Sequence, residues 1–270
     1  MNFTVLMSLY IKEKPIYLEQ CLQSLQKQTI QANEIVIVLD GPITKALEET
    51  IAKWMKKLPI RLVPLDKNIG LGKALNIGLQ HSTNEWIFRM DTDDICVPDR
   101  FEQQLNRIRE NPDTVLLGGQ IEEFEDNSDK VQYRKTPLEA AEIYKFAKKR
   151  NPFNHMTVAY KKTVIMQLGG YQHHLFMEDY NLWLRVIAKH KNINNLSTIL
   201  VKARTGDAML SRRKGMQYIK SEWQLFKLKQ SLGFHSLLEG FLWFLIRAVP
   251  RLCPKVLLSK IYSSQRKPNE

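Results

Sequence analysis

An α/β fold with a mostly parallel central sheet and a C-terminal helical extension is what this 270-residue chain predicts, on three observations. Short apolar runs rich in β-branched residues alternate with helical patterns through the first 110 residues. Polar, ligand-ready residues recur just after those runs, at the strand ends where an open α/β sheet holds its ligands. Charge is divided unevenly: residues 1–201 carry 26 Lys/Arg against 24 Asp/Glu, whereas residues 202–270 carry 14 against 4. The expected division is a catalytic α/β domain over 1–205 and a basic amphipathic helical extension over 206–270.

The elements follow in order. Thr4–Leu9 reads as a strand and Pro15–Gln28 as the helix behind it; Glu34–Leu39 and Thr44–Lys57 repeat the pair. Ile60–Pro64 with Leu71–His81, and Glu85–Met90 with Pro98–Glu110, complete four strand–helix units, the signature of parallel βαβ connections. Beyond residue 113 the rhythm changes to short strands at Thr114–Gly119, Ile121–Phe124 and Lys130–Arg134, then a helix over Leu138–Arg150 and a strand at Val158–Tyr160. Asp179–Lys189 is a helix with an apolar stripe at Trp183, Val186 and Ile187, and this half reads as a mixed sheet on the acceptor side. Gly215–Leu232, His235–Val249 and Val256–Tyr262 are the helices of the extension.

Asp91-Thr92-Asp93-Asp94 ends the fourth predicted strand and is the sharpest chemical signal. Three carboxylates in four residues at the end of a buried strand repel one another unless a cation or polar ligand sits among them. A divalent metal holding a diphosphate satisfies that requirement. The plainer reading is an acidic turn before the helix at Pro98, with Asp94 or Asp99 as its cap.

Two further strand ends face the same crevice. Asp40, in Leu39-Asp40-Gly41-Pro42, can accept hydrogen bonds from a ribose or base edge, or can simply be a turn residue. Asn68-Ile69-Gly70-Leu71-Gly72-Lys73 fits neither a dinucleotide fingerprint nor a P-loop. It leaves a glycine turn into a helix whose N-terminal amides, with Lys73, approach a phosphate. Met177-Glu178-Asp179-Tyr180 opens a helix with Asp179 one and two turns ahead of Trp183 and Val186, so its carboxylate stands at the edge of the buried face. That placement makes Asp179 a general-base candidate; the competing reading is acidic complementation of the helix dipole. His155, His173 and His174 match no metal-ligand spacing, and only His155 is positioned for a phosphate or acceptor contact.

Asp40-Gly41, Asn68-x-Gly-x-Gly-Lys-Ala-Leu-Asn, Arg89-Met90-Asp91-x-Asp93-Asp94 with Pro98-Asp99-Arg100-Phe101, Gly169-Gly170-Tyr171 and Glu178-Asp179-Tyr180-x-Leu-Trp-Leu-Arg together resemble family 2 glycosyltransferases, in order and spacing over residues 1–205. Arg204, Arg212-Arg213-Lys214-Gly215, Tyr218 and Glu222 look like the bacterial branch that builds capsule, exopolysaccharide or O-antigen units. The resemblance implies a GT-A fold and inverting transfer of a sugar from a nucleotide-diphosphate sugar, a UDP-sugar, with Mn²⁺ or Mg²⁺. By position it implies that Asp40 contacts the nucleoside and Asp91 the ribose or metal region of the DxD motif. Asp93 is then the metal ligand, Asp179 the base and Glu178 its neighbour, with Asn68, Lys73, Arg89 and Thr92 lining the donor site. It implies His155, Arg212 and Arg213 for the diphosphate or acceptor. The segment Arg204–Met209 lacks the histidine that many relatives carry after the base helix.

The apolar run Leu237–Ile246 is interrupted by Glu239 and bounded by Arg247 and Pro250, too short for the roughly 20 residues a span requires. With Arg247, Arg251, Lys255, Lys260, Arg266 and Lys267 around it, it reads as an in-plane anchor on an anionic membrane, or else as cover for the domain's own core. The anchor suits a lipid-linked (polyprenyl diphosphate) saccharide acceptor and a peripheral place on the inner face of the cytoplasmic membrane. Cys21, Cys96 and Cys253 form no metal or disulfide pattern, so a reducing compartment is expected. The N-terminus lacks the pattern of a signal peptide. A pI near 9.5 raises nucleic-acid binding as a rival, but no nucleic-acid motif appears and the acidic cluster repels phosphates. A metal-dependent nucleotidyltransferase is the other rival, and it needs no base at Asp179.

Overall fold

The computed structural model describes residues 1–126, 128–205 and 215–249. Among these residues nine strands form one sheet: β1 (Phe3–Leu9), β2 (Glu34–Leu39), β3 (Ile60–Pro64), β4 (Trp86–Arg89), β5 (Ile95–Cys96), β6 (Leu116–Glu125), β7 (Ser128–Arg134), β8 (Ala159–Lys161) and β9 (Ile193–Arg204). Their order is β3-β2-β1-β4-β8-β6-β9-β5, with β7 on the other side of β6's outer half. The β3-β2-β1-β4 half is parallel throughout, and the remainder is mixed.

Alternation along β1 builds two cores, because successive side chains point to opposite faces. Phe3, Val5, Met7 and Leu9 pack with α1 (Pro15–Gln26), α2 (Lys45–Trp54) and α4 (Arg100–Glu110). Leu6 of β1 lies on the other face with Val36 and Val38, under α3 (Leu71–His81) and α7 (Glu178–Lys189). Phe3, Phe88 and Phe101 close the first core as a cluster with centroids 4.5–5.4 Å apart. Gly78 lets α3 settle onto the sheet: a Cβ there would stand 2.4 Å from Leu6 Cδ1.

Three expectations are corrected. Residues 114–124 do not form two strands but one, β6, and the unforeseen β9 runs parallel beside it for twelve residues. Their register shifts twice around Gln120, and each shift breaks the period-2 alternation by which a strand is recognised. Gly118 and Gly119 permit the close approach, since Cβ atoms there would meet Asn195 Oδ1 at 2.2 Å and Leu200 Cδ1 at 2.3 Å. The helix expected from Pro98 begins at Arg100, and Asp99 makes no side-chain cap. Asp94 does not cap it either; its Oδ1 accepts the Arg204 amide at 2.8 Å. Two short helices complete this half, α5 (Ala140–Ala147) and α6 (Lys162–Gln167).

In the extension, α8 (Met216–Ser231) and α9 (Leu237–Ala248) lie antiparallel and grip the body by polar contacts. Lys229 Nζ donates to the Lys148 carbonyl at 2.7 Å and Arg247 Nη1 to that of Lys149 at 2.8 Å, while Arg247 forks onto Glu222. Arg247 therefore faces inward, contrary to its expected place in the basic fringe of an anchor. Among the described residues no helix is long and apolar enough to cross a membrane. Val256–Tyr262, Arg212 and Arg213 lie outside the described residues.

Candidate functional site

Four loops meet at the carboxyl ends of β1, β2 and β4 and the start of α7. The first is the acidic loop after β4. β5 turns it back by pairing with β9, and Cys21 Sγ and Arg204 Nε hold it from either side through the carbonyls of Asp91 and Asp93, at 3.3 and 3.1 Å.

Beneath the loop lie two fully buried guanidinium groups, Arg89 and Arg100. Arg89 forms an ion pair with Asp91 and donates to the Met90 carbonyl; Arg100 donates to the Arg89 carbonyl at 2.8 Å. Burial opposes the charge on Asp91, but Arg89, with His155 and Arg100, outweighs it and holds the carboxyl below its ordinary range. Asp93 has no such ion pair among the described residues. Burial, then Asp91 and Glu13, push its carboxyl up to about 7. Asp94 is pushed well up by burial, then by Asp91 and Asp93, and its Oδ2 is buried with no hydrogen-bond partner among the described residues.

Sequence reasoning missed two residues here as parts of the site. Glu13 follows β1 and accepts the Thr92 hydroxyl at 2.7 Å, so Thr92 is fixed by a third carboxylate-bearing loop. Its position just beyond a parallel strand's carboxyl end was the available signal. Arg204, at the end of β9, ties Asp93 and Asp94 to Gln20 and pairs with Asp126, its guanidinium lying 3.8 Å from the Tyr17 ring centroid. The sequence marked Arg204 only as part of a family resemblance and gave it no place in the site, because β9 itself was not legible.

At the end of β2, buried Asp40 accepts the amides of Ile69 and Gly70 at 2.7 and 3.1 Å, and Asn68 Nδ2 donates to the Asp40 carbonyl at 3.2 Å. Gly41 makes the knot possible: its φ is +87°, and a Cβ would stand 2.6 Å from the Asn68 nitrogen. The knot sets the entry to α3, whose first turn carries Lys73 exposed to solvent.

The N-termini of α3 and α7 touch: a Cβ on Gly72 would lie 3.2 Å from Glu178 Cγ. Burial, aided by Asp179, raises the Glu178 carboxyl. Asp179 beside it receives Asn151 Nδ2 at 2.6 Å on its Oδ2. Asn76 bonds both the amide and carbonyl of Tyr171, and the Tyr171 hydroxyl meets His155 Nε2 at 2.9 Å. Burial and Arg89 hold His155 down to about 4, against the pull of Asp179 and Asp91. A neutral imidazole thus stands within the field of both the acidic loop and Asp179. His174 is buried, bonded to the Ser221 carbonyl and to Asn181, and takes no part in the site.

Among the described residues no three His, Cys, Asp or Glu side chains converge on a metal-holding arrangement. A cation held by one carboxylate and completed by substrate phosphate and water needs no such cage. Asp93, a carboxyl crowded by other carboxyls and with no ion pair to a cationic side chain among the described residues, has the chemistry for that role.

Residues 4–174 match the family model described as Glycosyl transferase family 2. The amylovoran biosynthesis glycosyltransferase AmsE of Erwinia amylovora is 47% identical over 98% of this chain and 99% of its own length. The UDP-Gal:alpha-D-GlcNAc-diphosphoundecaprenol beta-1,3-galactosyltransferase of Escherichia coli is 37% identical over 97% and 95%. Among solved structures, the mannosyltransferase PcManGT of Pyrobaculum calidifontis, in complex with GDP-Man and Mn²⁺, superposes with a TM-score of 0.64 at 15% identity, covering 98% of this chain and 80% of that one.

Proposed function

Because this chain belongs to glycosyl transferase family 2 and is a glycosyltransferase of GT-A fold, we propose that it moves a sugar, with inversion, from a UDP-sugar to a lipid-linked saccharide in surface polysaccharide assembly. The observation that carries the reading is the pairing of two unlike carboxylate systems at one sheet edge. Asp91 and Asp93 close β4, Asp179 opens α7, and His155 feels both. The E. coli relative, named for a UDP-Gal donor and a diphosphoundecaprenol acceptor, supports the donor and acceptor classes.

In this reading Asp40 and Asn68 shape the nucleoside end of the site, Asp91 accepts from the ribose, and Arg89 acts through Asp91 because it is fully buried. Asp93 holds Mn²⁺ or Mg²⁺, which when bound neutralises charge on the departing diphosphate. Lys73 and the first amides of α3 approach the same phosphates, and Arg212 and Arg213 are assigned to that closure from sequence alone. Asp179 takes the proton of the acceptor hydroxyl as its oxygen attacks the anomeric carbon from the face opposite the leaving group. Glu178 stands beside it at the start of α7, its carboxyl raised by burial.

A thermal-shift screen of UDP- and GDP-sugars with and without Mn²⁺ tests the proposal. Stabilisation is expected from a UDP-sugar only when Mn²⁺ is present, and no response to any UDP-sugar would overturn it. The pH dependence has a fixed sign. A carboxyl whose folded-state affinity for a proton is raised loses native-state stability as pH rises toward about 7. In metal-free protein the melting temperature is therefore expected to fall between about pH 4 and 7 more steeply than in Asp93→Asn. Added Mn²⁺ is expected to restore it at pH 8 and to do little at pH 5, where the proton competes.

The place of action is an anionic membrane surface. Leu237 and Leu238 are 73% exposed, and Phe241, Leu242, Leu245, Ile246 and Val249 continue the same apolar cover on α9, while Gly240 and Ala248 are buried. The net positive charge of residues 202–270 matches acidic headgroups. Leu242→Asp with Ile246→Asp is expected to abolish co-sedimentation with phosphatidylglycerol vesicles while the protein stays folded; undiminished sedimentation would refute the anchor. Substitution is the cleaner test, because removing 234–270 also strips Arg247 from the Lys149 carbonyl.

A further inference from the structure

We propose that Asn151 is a positioning residue for Asp179, fixing which carboxylate oxygen faces the acceptor; the idea rests on Asp179 being the base. A carboxylate can only accept, so the 2.6 Å contact to Asp179 Oδ2 must come from the Asn151 amide nitrogen. The other end of that amide is already committed: Asn151 Oδ1 accepts the Phe153 amide at 3.2 Å. The side chain thus cannot turn over without losing both bonds. With Oδ2 engaged, Oδ1 is the oxygen left to take a proton.

The turn that carries Asn151, between α5 and β8, is secured from several sides. Its Lys148 carbonyl accepts Lys229 Nζ at 2.7 Å and faces His235 Nε2 at 3.0 Å, and the Lys149 carbonyl accepts Arg247 Nη1. Arg134 Nη2 reaches the Asn151 carbonyl at 3.3 Å, and Asn195 Nδ2 the Pro152 carbonyl at 3.0 Å. Phe153 sets its ring edge-on to Trp183, 5.9 Å between centroids, on the very helix that Asp179 opens. Side chains from β7, β9, α7 and the α8–α9 hairpin therefore converge to hold one amide against one carboxylate. That geometry is what a reacting oxygen needs, since small misplacement of a catalytic group is costly in rate.

The test is a double-mutant cycle on the full-length, Mn²⁺-loaded enzyme, reading kcat, KM and donor affinity. Asn151→Ala is expected to lower kcat about 10²-fold with donor binding and KM for donor unchanged. Asn151→Asp, equal in size but unable to donate when ionised, is expected to do the same. In an Asp179→Asn background, Asn151→Ala is expected to add less than about twofold, because groups acting as one unit are not additive. A fully additive loss, or an unchanged kcat in both Asn151 variants, overturns the proposal while leaving the base assignment standing. Should Asp179→Asn alone turn over normally, the base assignment fails and this inference falls with it. If Asn151→Ala does not fold, the isosteric Asn151→Asp carries the comparison.

Discussion

Asp93→Asn is expected to reduce sugar transfer on the order of 10²–10³-fold, the loss seen when one preorganised electrostatic group is taken from a site where charge develops. The fold is expected to survive. Asp93 sits among Asp91, Asp94 and Glu13 with burial already disfavouring its charge, so a neutral amide relieves repulsion. The discriminating result is a pair of measurements. The metal-free melting temperature is expected to hold or rise, whereas the stabilisation by Mn²⁺ with a UDP-sugar is expected to vanish. Full turnover with an intact Mn²⁺ response would remove Asp93 from the metal's coordination.

Asp179→Asn is expected to cost about 10²–10⁴-fold in kcat, the usual share of a general base. The amide keeps the size of the carboxylate but cannot take the acceptor's proton. Donor affinity is expected to stay within about twofold, because the donor-side groups lie at β2, β4 and α3. Glu178 is expected not to substitute, because its side chain packs against Gly72 at the start of α3. Equal losses in donor affinity and turnover would mark Asp179 as a purely structural helix-start residue.

Where a short apolar run or a helical pattern had clear ends, the fold was legible in the sequence. β2, β3 and α3 fall on their expected residues because each is such a segment bounded by turn residues. β9 was invisible because its pairing with β6 slips twice, and Ile193-Asn194-Asn195-Leu196-Ser197-Thr198 then reads as irregular. The same loss of phase split β6 in two at Gln120. Of the site, the parts carried on one short segment were readable: the acidic run at 91–94 and the Glu178-Asp179 pair. The parts assembled from distant segments were not. Glu13 meets Thr92 across 79 positions, and Arg204 meets the acidic loop across 110, so only the folded sheet brings them together.

The grip of α9 on the 148–151 turn has a consequence for how the acceptor is measured. Arg247 fastens the Lys149 carbonyl, and two residues farther on Asn151 touches Asp179. If α9 rests in lipid headgroups and Asp179 is the base, as proposed above, the membrane surface is joined to the proton-accepting oxygen through two hydrogen bonds and the short backbone between residues 149 and 151. On that proposal the fold would fix the height of that oxygen above the bilayer, and a saccharide hydroxyl would be selected partly by how far its sugar chain stands off the membrane.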